Sequence, residues 1–181
     1  MVAARQLEPA SAQLHRSLSR PAVTQPARDA EHSHASIGPS CSVTELPADV
    51  LSMINAVRTA GHACGGERFG AAAALAWDDR LFRAASGHAA DMAHRDYVDH
   101  VTPEGVGAVQ RMEAAGYDWS RAAENIAAGN RSVDAVMTAW LKSESHCRNI
   151  LNPSFSDVAV ACVRAVPSSY GTYWTMKLGK R

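Results

Sequence analysis

The chain has 181 residues, 46% of them hydrophobic, which is enough to bury one substantial core. Eighteen acidic residues balance eighteen basic ones, so the formal net charge is zero. Without a basic field, nucleic acid is not an expected partner. No apolar stretch approaches the length that crosses a bilayer, and no transmembrane segment is expected.

Residues 1–42 are predicted to be a disordered leader or linker that precedes one domain, residues 43–181. The first forty residues mix Ser, Ala, Pro, Gln, Arg and His without helical or strand periodicity. Four prolines, at positions 9, 21, 26 and 39, interrupt any regular element in this stretch.

Two signals on cellular location conflict. The first ten residues contain Arg5, Glu8 and Pro9 where a signal peptide carries its apolar stretch, so no signal peptide is visible at this N-terminus. Four cysteines nevertheless make an even number in a small domain, which is compatible with two disulfides in an oxidising compartment. Either the assigned start misses an upstream leader, or the thiols stay reduced as small buried groups. We favour the first explanation and expect a secreted or periplasmic protein.

The periodicity of apolar residues predicts four helices. The first has Pro47 in its first turn and ends at Gly61, and the second is capped by Asp78 or Asp79 and runs through Met92. The third follows Gly105 and Gly107 and ends at Gly116, and the fourth is capped by Ser132 and runs through Leu141. His88 lies among the apolar positions of the second helix, where a lone imidazole is more often a hydrogen-bonded core group than a ligand.

Strand signals concentrate late in the chain. Residues 157–166 and 172–178 are β-prone, and the turn residues 167–171 between them predict an antiparallel hairpin. The short apolar run at 125–128 is a candidate third strand. Helices and strands in this arrangement predict an α+β fold.

Three short segments each place a histidine or a carboxylate beside an aromatic or aliphatic anchor, at residues 97–100, 123–126 and 140–146. Together they predict one polar site that contains His100, Glu124 and His146. Two imidazoles and a carboxylate in one pocket can hold a divalent metal, move a proton, or hydrogen-bond to each other inside a core.

Several ordered blocks between about residue 51 and residue 179 resemble the CAP superfamily, which includes cysteine-rich secretory proteins, insect venom antigens, plant pathogenesis-related proteins and many bacterial secreted relatives. The blocks are residues 54–58, 75–77, His88 with Asp91 and Met92, and residues 97–100, 111–117, 124–129, 140–151 and 173–175. The resemblance implies an α-β-α sandwich with a small, mainly antiparallel three-stranded sheet and about four helices.

The same resemblance implies a cleft where two histidines and two glutamates meet. By position, His100 and His146 are similar to the histidines and Glu124 to the first glutamate. The second glutamate departs from the pattern, because Ser143 stands three residues after Trp140, as in bacterial relatives. Glu144 is one step along, and a helix would turn it by about 100°. The implied cleft residues are His100, Glu124, Ser143, Glu144 and His146, and the implied disulfides are Cys64–Cys147 and Cys41–Cys162.

The favoured function is that of a secreted bacterial CAP domain that binds a lipid, glycan or protein ligand in this cleft. No cofactor is required, although His100, His146 and Glu124 could give weak affinity for Zn²⁺ or another divalent cation. The alternative is a metal-dependent peptidase or esterase that uses Glu124 and His146. A third interpretation makes His100 and Glu124 a hydrogen-bonded pair that holds a loop on the sheet, with His146 facing water.

Three other kinds of site are less favoured. A serine hydrolase would use Ser143 or Ser145, but no Gly-x-Ser-x-Gly elbow accompanies them. A Cys147 nucleophile lacks a recognisable Cys-His order. A structural zinc site would combine His62 and Cys64 with His146 and Cys147, but neither half has a Cys-x-x-Cys knuckle.

Overall fold

The structure, a computed structural model, describes Cys41 and residues 46–181. The predicted leader, residues 1–42, lies outside the described residues, apart from Cys41. Among the residues that are described, none of the helices combines the length and the apolar character needed to cross a membrane.

Five helices and six strands form the described part of the chain. Their bounds are α1 Leu46–Ala60, β1 His62–Cys64, β2 Glu67–Phe69, β3 Ala76–Trp77, α2 Asp79–Arg95, α3 Ala108–Ala114, β4 Arg121–Ala128, α4 Val133–Lys142, α5 Glu144–Leu151, β5 Asp157–Arg164 and β6 Thr172–Lys180.

One four-stranded sheet in the order β3-β5-β6-β4 forms the middle layer. The short β3 pairs in parallel with β5, and the other pairings are antiparallel. Strands β1 and β2 form a separate antiparallel hairpin. The α+β class and the predicted hairpin of β5 and β6 are confirmed.

The two faces of the sheet carry different residues because side chains alternate along a strand. On β5, Val158 and Val160 join Trp140 and Trp174 in the main core, which also contains residues of α1, α4 and α5. Ala159, which lies between these two valines, points the other way and packs with α2 and α3. Helices thus cover both faces of the sheet, which is the layered sandwich that the resemblance implies.

The helix ends follow the capping residues of the sequence. The Asp78 side chain accepts hydrogen bonds from the backbone N–H groups of Arg80 and Leu81 at the start of α2, and the Ser132 hydroxyl accepts from Ala135 at the start of α4. Helix α4 ends where Ser143 takes an extended conformation (φ −86°, ψ 121°), and a further helix, α5, begins directly after it. This fifth helix and the two-residue strand β3 add to the elements expected.

Two disulfides connect distant parts of the chain. Cys41 bonds to Cys162 on β5, and Cys64 on β1 bonds to Cys147 on α5, with Cα–Cα distances of 5.4 and 5.5 Å. This is the pairing that the family resemblance implies. The second bond fixes the β1–β2 hairpin against α5.

Candidate functional site

His100 and Glu124 form a direct pair at the centre of the predicted site. His100 lies in the loop between α2 and α3, and its Nδ1 is 2.8 Å from Oε1 of Glu124 on β4. The Glu124 side chain is 2% exposed, whereas that of His100 is 50% exposed. The carboxylate is therefore buried beneath an imidazole that reaches water.

Two cationic side chains also surround Glu124. Lys177, which is fully buried on β6, places its Nζ 2.5 Å from Oε2 of Glu124. The two residues lie directly opposite each other in the antiparallel pairing of β4 and β6. Arg111 on α3 donates to the same oxygen at 3.0 Å and to the carbonyl oxygen of His100 at 2.8 Å. Arg111 therefore links the carboxylate of Glu124 to the loop that carries His100.

The charges in this cluster stabilise each other. Burial alone would raise the pKa of Glu124, but the hydrogen bond from His100 and the charges of Lys177 and Arg111 lower it to about 2. Burial lowers the pKa of Lys177 to about 8, and the charge of Glu124 partly opposes that effect. At neutral pH the cluster holds an ionised carboxylate and a protonated lysine.

The pairing fixes which nitrogen of His100 carries the proton. An ionised carboxylate only accepts hydrogen bonds, so Nδ1–H of His100 is the donor to Glu124. In the neutral ring Nε2 is then an unprotonated acceptor, and the half-exposed ring is free to offer it to a ligand.

His146 lies on α5, partly buried, near this pair. Burial lowers its pKa, and the electrostatic interaction with His100 lowers it further. The two imidazoles are thus within electrostatic range of each other. The carbonyl oxygen of His146 also accepts a hydrogen bond from Asn125 on β4, at 3.1 Å, which ties α5 to the strand that carries Glu124.

The remaining predicted cleft residues lie at the junction of α4 and α5. The Ser143 and Ser145 hydroxyls are 3.3 Å apart. Glu144 is exposed and forms an ion pair with Arg148 at 2.9 Å. Its carboxylate also lies over Gly65 in the β1–β2 turn, where an added Cβ would be 2.3 Å from Oε2 of Glu144. Glu144 thus faces the β1–β2 hairpin and makes no contact with Glu124 among the hydrogen bonds and ion pairs of the described residues.

His88 is a core residue, as expected. It is fully buried on α2, and its Nε2 is 2.9 Å from the carbonyl oxygen of Asp99. Burial lowers the pKa of His88 to about 4, an effect that the nearby Glu124 charge partly opposes, so the ring is neutral at pH 7. Because a carbonyl only accepts, Nε2 carries the proton.

The donor set fits a divalent metal poorly. Zinc is bound by three or four N, O or S ligands, and within residues 41 and 46–181 no three His, Cys, Asp or Glu side chains are grouped to hold an ion. Both oxygens of Glu124 already accept from cationic groups, Oε1 from Arg111 and Oε2 from Lys177. Binding of Zn²⁺ by His100, His146 and Glu124 stays a prediction, and it would require the carboxylate to leave those partners.

Sequence reasoning did not assign Arg111 and Lys177 to the site. One local signal was available for Lys177, which is the single charged residue of the largely apolar run 173–178. A buried charge demands a partner, and Glu124 on a neighbouring strand could have been proposed. Arg111 carried no comparable local signal, because its contacts depend on how α3 packs against the sheet.

We expect the folded state to lose stability as the pH falls from 6.5 towards 2. The unfolded chain binds protons more tightly than the folded one at His88 between pH 6.5 and about 4, and at Glu124 between pH 4.5 and about 2. His88 alone contributes about 3 kcal/mol to this loss, at about 1.4 kcal/mol per pH unit. Urea unfolding at pH 7 and pH 4 measures it. An unchanged urea midpoint would contradict the assignment of a neutral, buried His88.

Comparison with known proteins identifies the family. The model of the cysteine-rich secretory protein family, named CAP, matches residues 51–178. The chain belongs to the CAP family. The match covers α1 from its sixth residue to β6 and includes every residue of the cluster around Glu124.

Two curated relatives from Bacillus subtilis share part of this CAP domain. The uncharacterized protein YkwD is 35% identical over 104 residues, which is 57% of this chain and 38% of the relative. The uncharacterized membrane protein YlbC is 31% identical over 109 residues, 60% of this chain and 30% of the relative. The match spans less than two fifths of either relative.

Solved structures share the fold. An extracellular protein with an SCP domain from Bacillus anthracis has a TM-score of 0.61 and 24% identity, and the match covers 75% of this chain and 40% of that one. An outer surface protein of Borrelia burgdorferi has a TM-score of 0.64 and 20% identity, with coverage of 80% and 98%. These CAP neighbours are extracellular or outer-surface proteins.

Proposed function

We propose that this CAP domain is an exported binding module whose cleft recognises a ligand with hydrogen-bond donors through His100. The observation that carries the proposal is the pairing of a half-exposed imidazole with a buried, ionised carboxylate. The pairing orients Nε2 of His100 as an acceptor before any ligand arrives, which lowers the entropy lost on binding.

Glycans and protein segments fit this chemistry better than the tail of a lipid. Hydroxyl and amide groups donate hydrogen bonds to an unprotonated imidazole nitrogen, whereas an alkyl chain cannot. His146 supports the same preference, because its lowered pKa makes it a neutral imidazole at pH 7.

Two disulfides support export. Such bonds persist in oxidising compartments and are rare in the cytosol. We therefore infer a secreted or periplasmic protein, in keeping with the extracellular and outer-surface location of its structural neighbours.

The replacement His100→Ala tests the cleft. Soluble N-acetylglucosamine oligomers and an amide-rich peptide panel are titrated into wild-type protein, with binding followed by NMR and calorimetry. A ligand that binds in the cleft should lose about tenfold in affinity in the variant, the order of one good hydrogen bond. His94→Ala is the matched control, since His94 is an exposed histidine on α2 without a contact to Glu124. Equal binding by His100→Ala and wild type would refute the proposal.

Zinc titration and a substrate screen distinguish a binding module from an enzyme. Zinc titration of wild type and His100→Ala is expected to give at most weak binding that the variant lacks, because Glu124 is already paired. A peptide and ester substrate screen is expected to give no turnover. Stoichiometric zinc binding with zinc-dependent turnover would replace the binding module by the metal-dependent hydrolase.

A further inference from the structure

A groove lies between α2 and α3, on the opposite face of the sheet from the main core. Its volume is about 340 Å³, and it is open to solvent. Small residues line both sides: Ala84 and Gly87 from α2, and Ala114 and Ala115 from the end of α3. The volume is at the lower end of the roughly 300–1,000 Å³ of small-molecule sites.

Gly87 has no structural role that requires a glycine. It lies within α2, where glycine is less stable than alanine, and it does not have a positive φ. A Cβ added at this position would meet no atom within 4 Å. Neither backbone strain nor close packing therefore explains the glycine, whereas its missing side chain keeps this wall of the groove open.

The groove carries excess positive charge. Arg83 and Arg111 both line it. Arg83 donates to the carbonyl oxygen of Ala115 at 3.0 Å and forms no ion pair within the described part of the chain. Arg111 shares the single carboxylate of Glu124 with Lys177, so two permanent cations face one anion there, and Arg83 adds a further positive charge to the groove. The Nε–H of Arg111 is also buried without a hydrogen-bond partner among the described residues.

We propose that the groove between α2 and α3 is a second binding site, which takes a small carboxylate with an apolar body. The carboxylate interacts with Arg83 and Arg111, since guanidinium groups form charge-assisted hydrogen bonds to carboxylates. The apolar body packs on Ala84, Gly87, Ala114 and Ala115. The groove adjoins the cluster around Glu124 through His88 and Arg111, but neither His100 nor Glu124 lines it.

Three probes of matched shape test the chemistry. Phenylbutyrate, phenylbutanol and phenylbutylamine have the same apolar body with a negative, neutral and positive end. Each is titrated into the full chain at low salt, with amide NMR shifts and calorimetry as readouts. Phenylbutyrate should saturate, with the largest shifts at Gly87 and Ala114, and the alcohol should bind about tenfold more weakly. Equal binding of the acid and the alcohol, or no saturation by the acid at millimolar concentration, would overturn the proposal.

Two variants locate the binding. Gly87→Leu fills the groove and should lower phenylbutyrate affinity at least tenfold without lowering the melting temperature. Ala90→Leu is the matched control, since Ala90 is exposed on the same helix outside the groove. Arg83→Gln should lower the affinity for phenylbutyrate several-fold and leave the affinity for phenylbutanol unchanged. This variant keeps the proposal testable if Gly87→Leu does not fold. Wild-type affinity in both variants would refute the site, while His100→Ala should leave phenylbutyrate binding intact whatever its effect on the cleft.

Discussion

Replacing Glu124 by Gln is expected to lower the free energy of unfolding by about 3–5 kcal/mol. The substitution keeps the shape of the side chain but removes the negative charge that faces Lys177 and Arg111. Lys177 is then left fully buried with only uncharged acceptors, the carbonyl oxygen of Ala108 at 3.2 Å and the amide oxygen of the new glutamine. Removing one partner of a buried ion pair costs this much because the other charge stays uncompensated. Urea unfolding at pH 7 measures the loss.

Substitution of the other partner of the ion pair supplies the control. Lys177→Met should cost less than Glu124→Gln, because Glu124 keeps Arg111 at 3.0 Å and His100 at 2.8 Å. In the double variant the two losses should not add, and the difference gives the coupling between the two side chains. Additive losses would show that the ion pair contributes nothing to stability.

Removing the Cys64–Cys147 disulfide by paired substitution to Ala is expected to cost about 2–5 kcal/mol. The bond joins residues 83 apart in sequence, so it restricts a long loop of the unfolded chain. Both sulfurs also lie in the main core, where their loss removes packed volume. Guanidinium unfolding of the wild type and the Cys64→Ala/Cys147→Ala variant measures the effect.

Removal of the Cys41–Cys162 bond gives a comparison for the loss of stability. It joins residues 121 apart, so the chain-entropy contribution is similar, but Cys41 is only partly buried. The pair Cys41→Ala/Cys162→Ala should therefore lose less stability than the pair in the core. A reductant that leaves the wild-type unfolding midpoint unchanged would contradict a stabilising role for both bonds.

Local chemistry made much of the fold predictable from the sequence. The caps at Asp78 and Ser132 begin α2 and α4 as expected, because a side-chain oxygen satisfies the first free N–H groups wherever the helix packs. The β5–β6 hairpin followed from β-prone residues on both sides of a turn. The family resemblance supplied the layered arrangement and the pairing of the cysteines.

The elements that were missed depend on contacts between distant residues. The segment 140–151 contains neither Gly nor Pro, so its division at Ser143 into α4 and α5 had no local marker. Strands β1 and β2 formed in a Gly-rich stretch that reads as loop, and the Cys64–Cys147 bond holds them. In the site, the pairing of His100 with Glu124 was among the expected arrangements. The isolated charge of Lys177 called for a partner, but its identity as Glu124 depends on the strand order, which the sequence alone did not provide.

The opposition of Glu124 and Lys177 also restricts how β4 can lie against β6. A slip of one residue would turn Glu124 towards the side of the sheet that carries Trp174 and leave Lys177 without an acid opposite it. Apolar contacts alone tolerate such a slip more easily, because alanines occupy several neighbouring positions of β4. The ion pair therefore favours the native register of β4 against β6 over registers shifted by one residue. The same Glu124 carboxylate also orients His100.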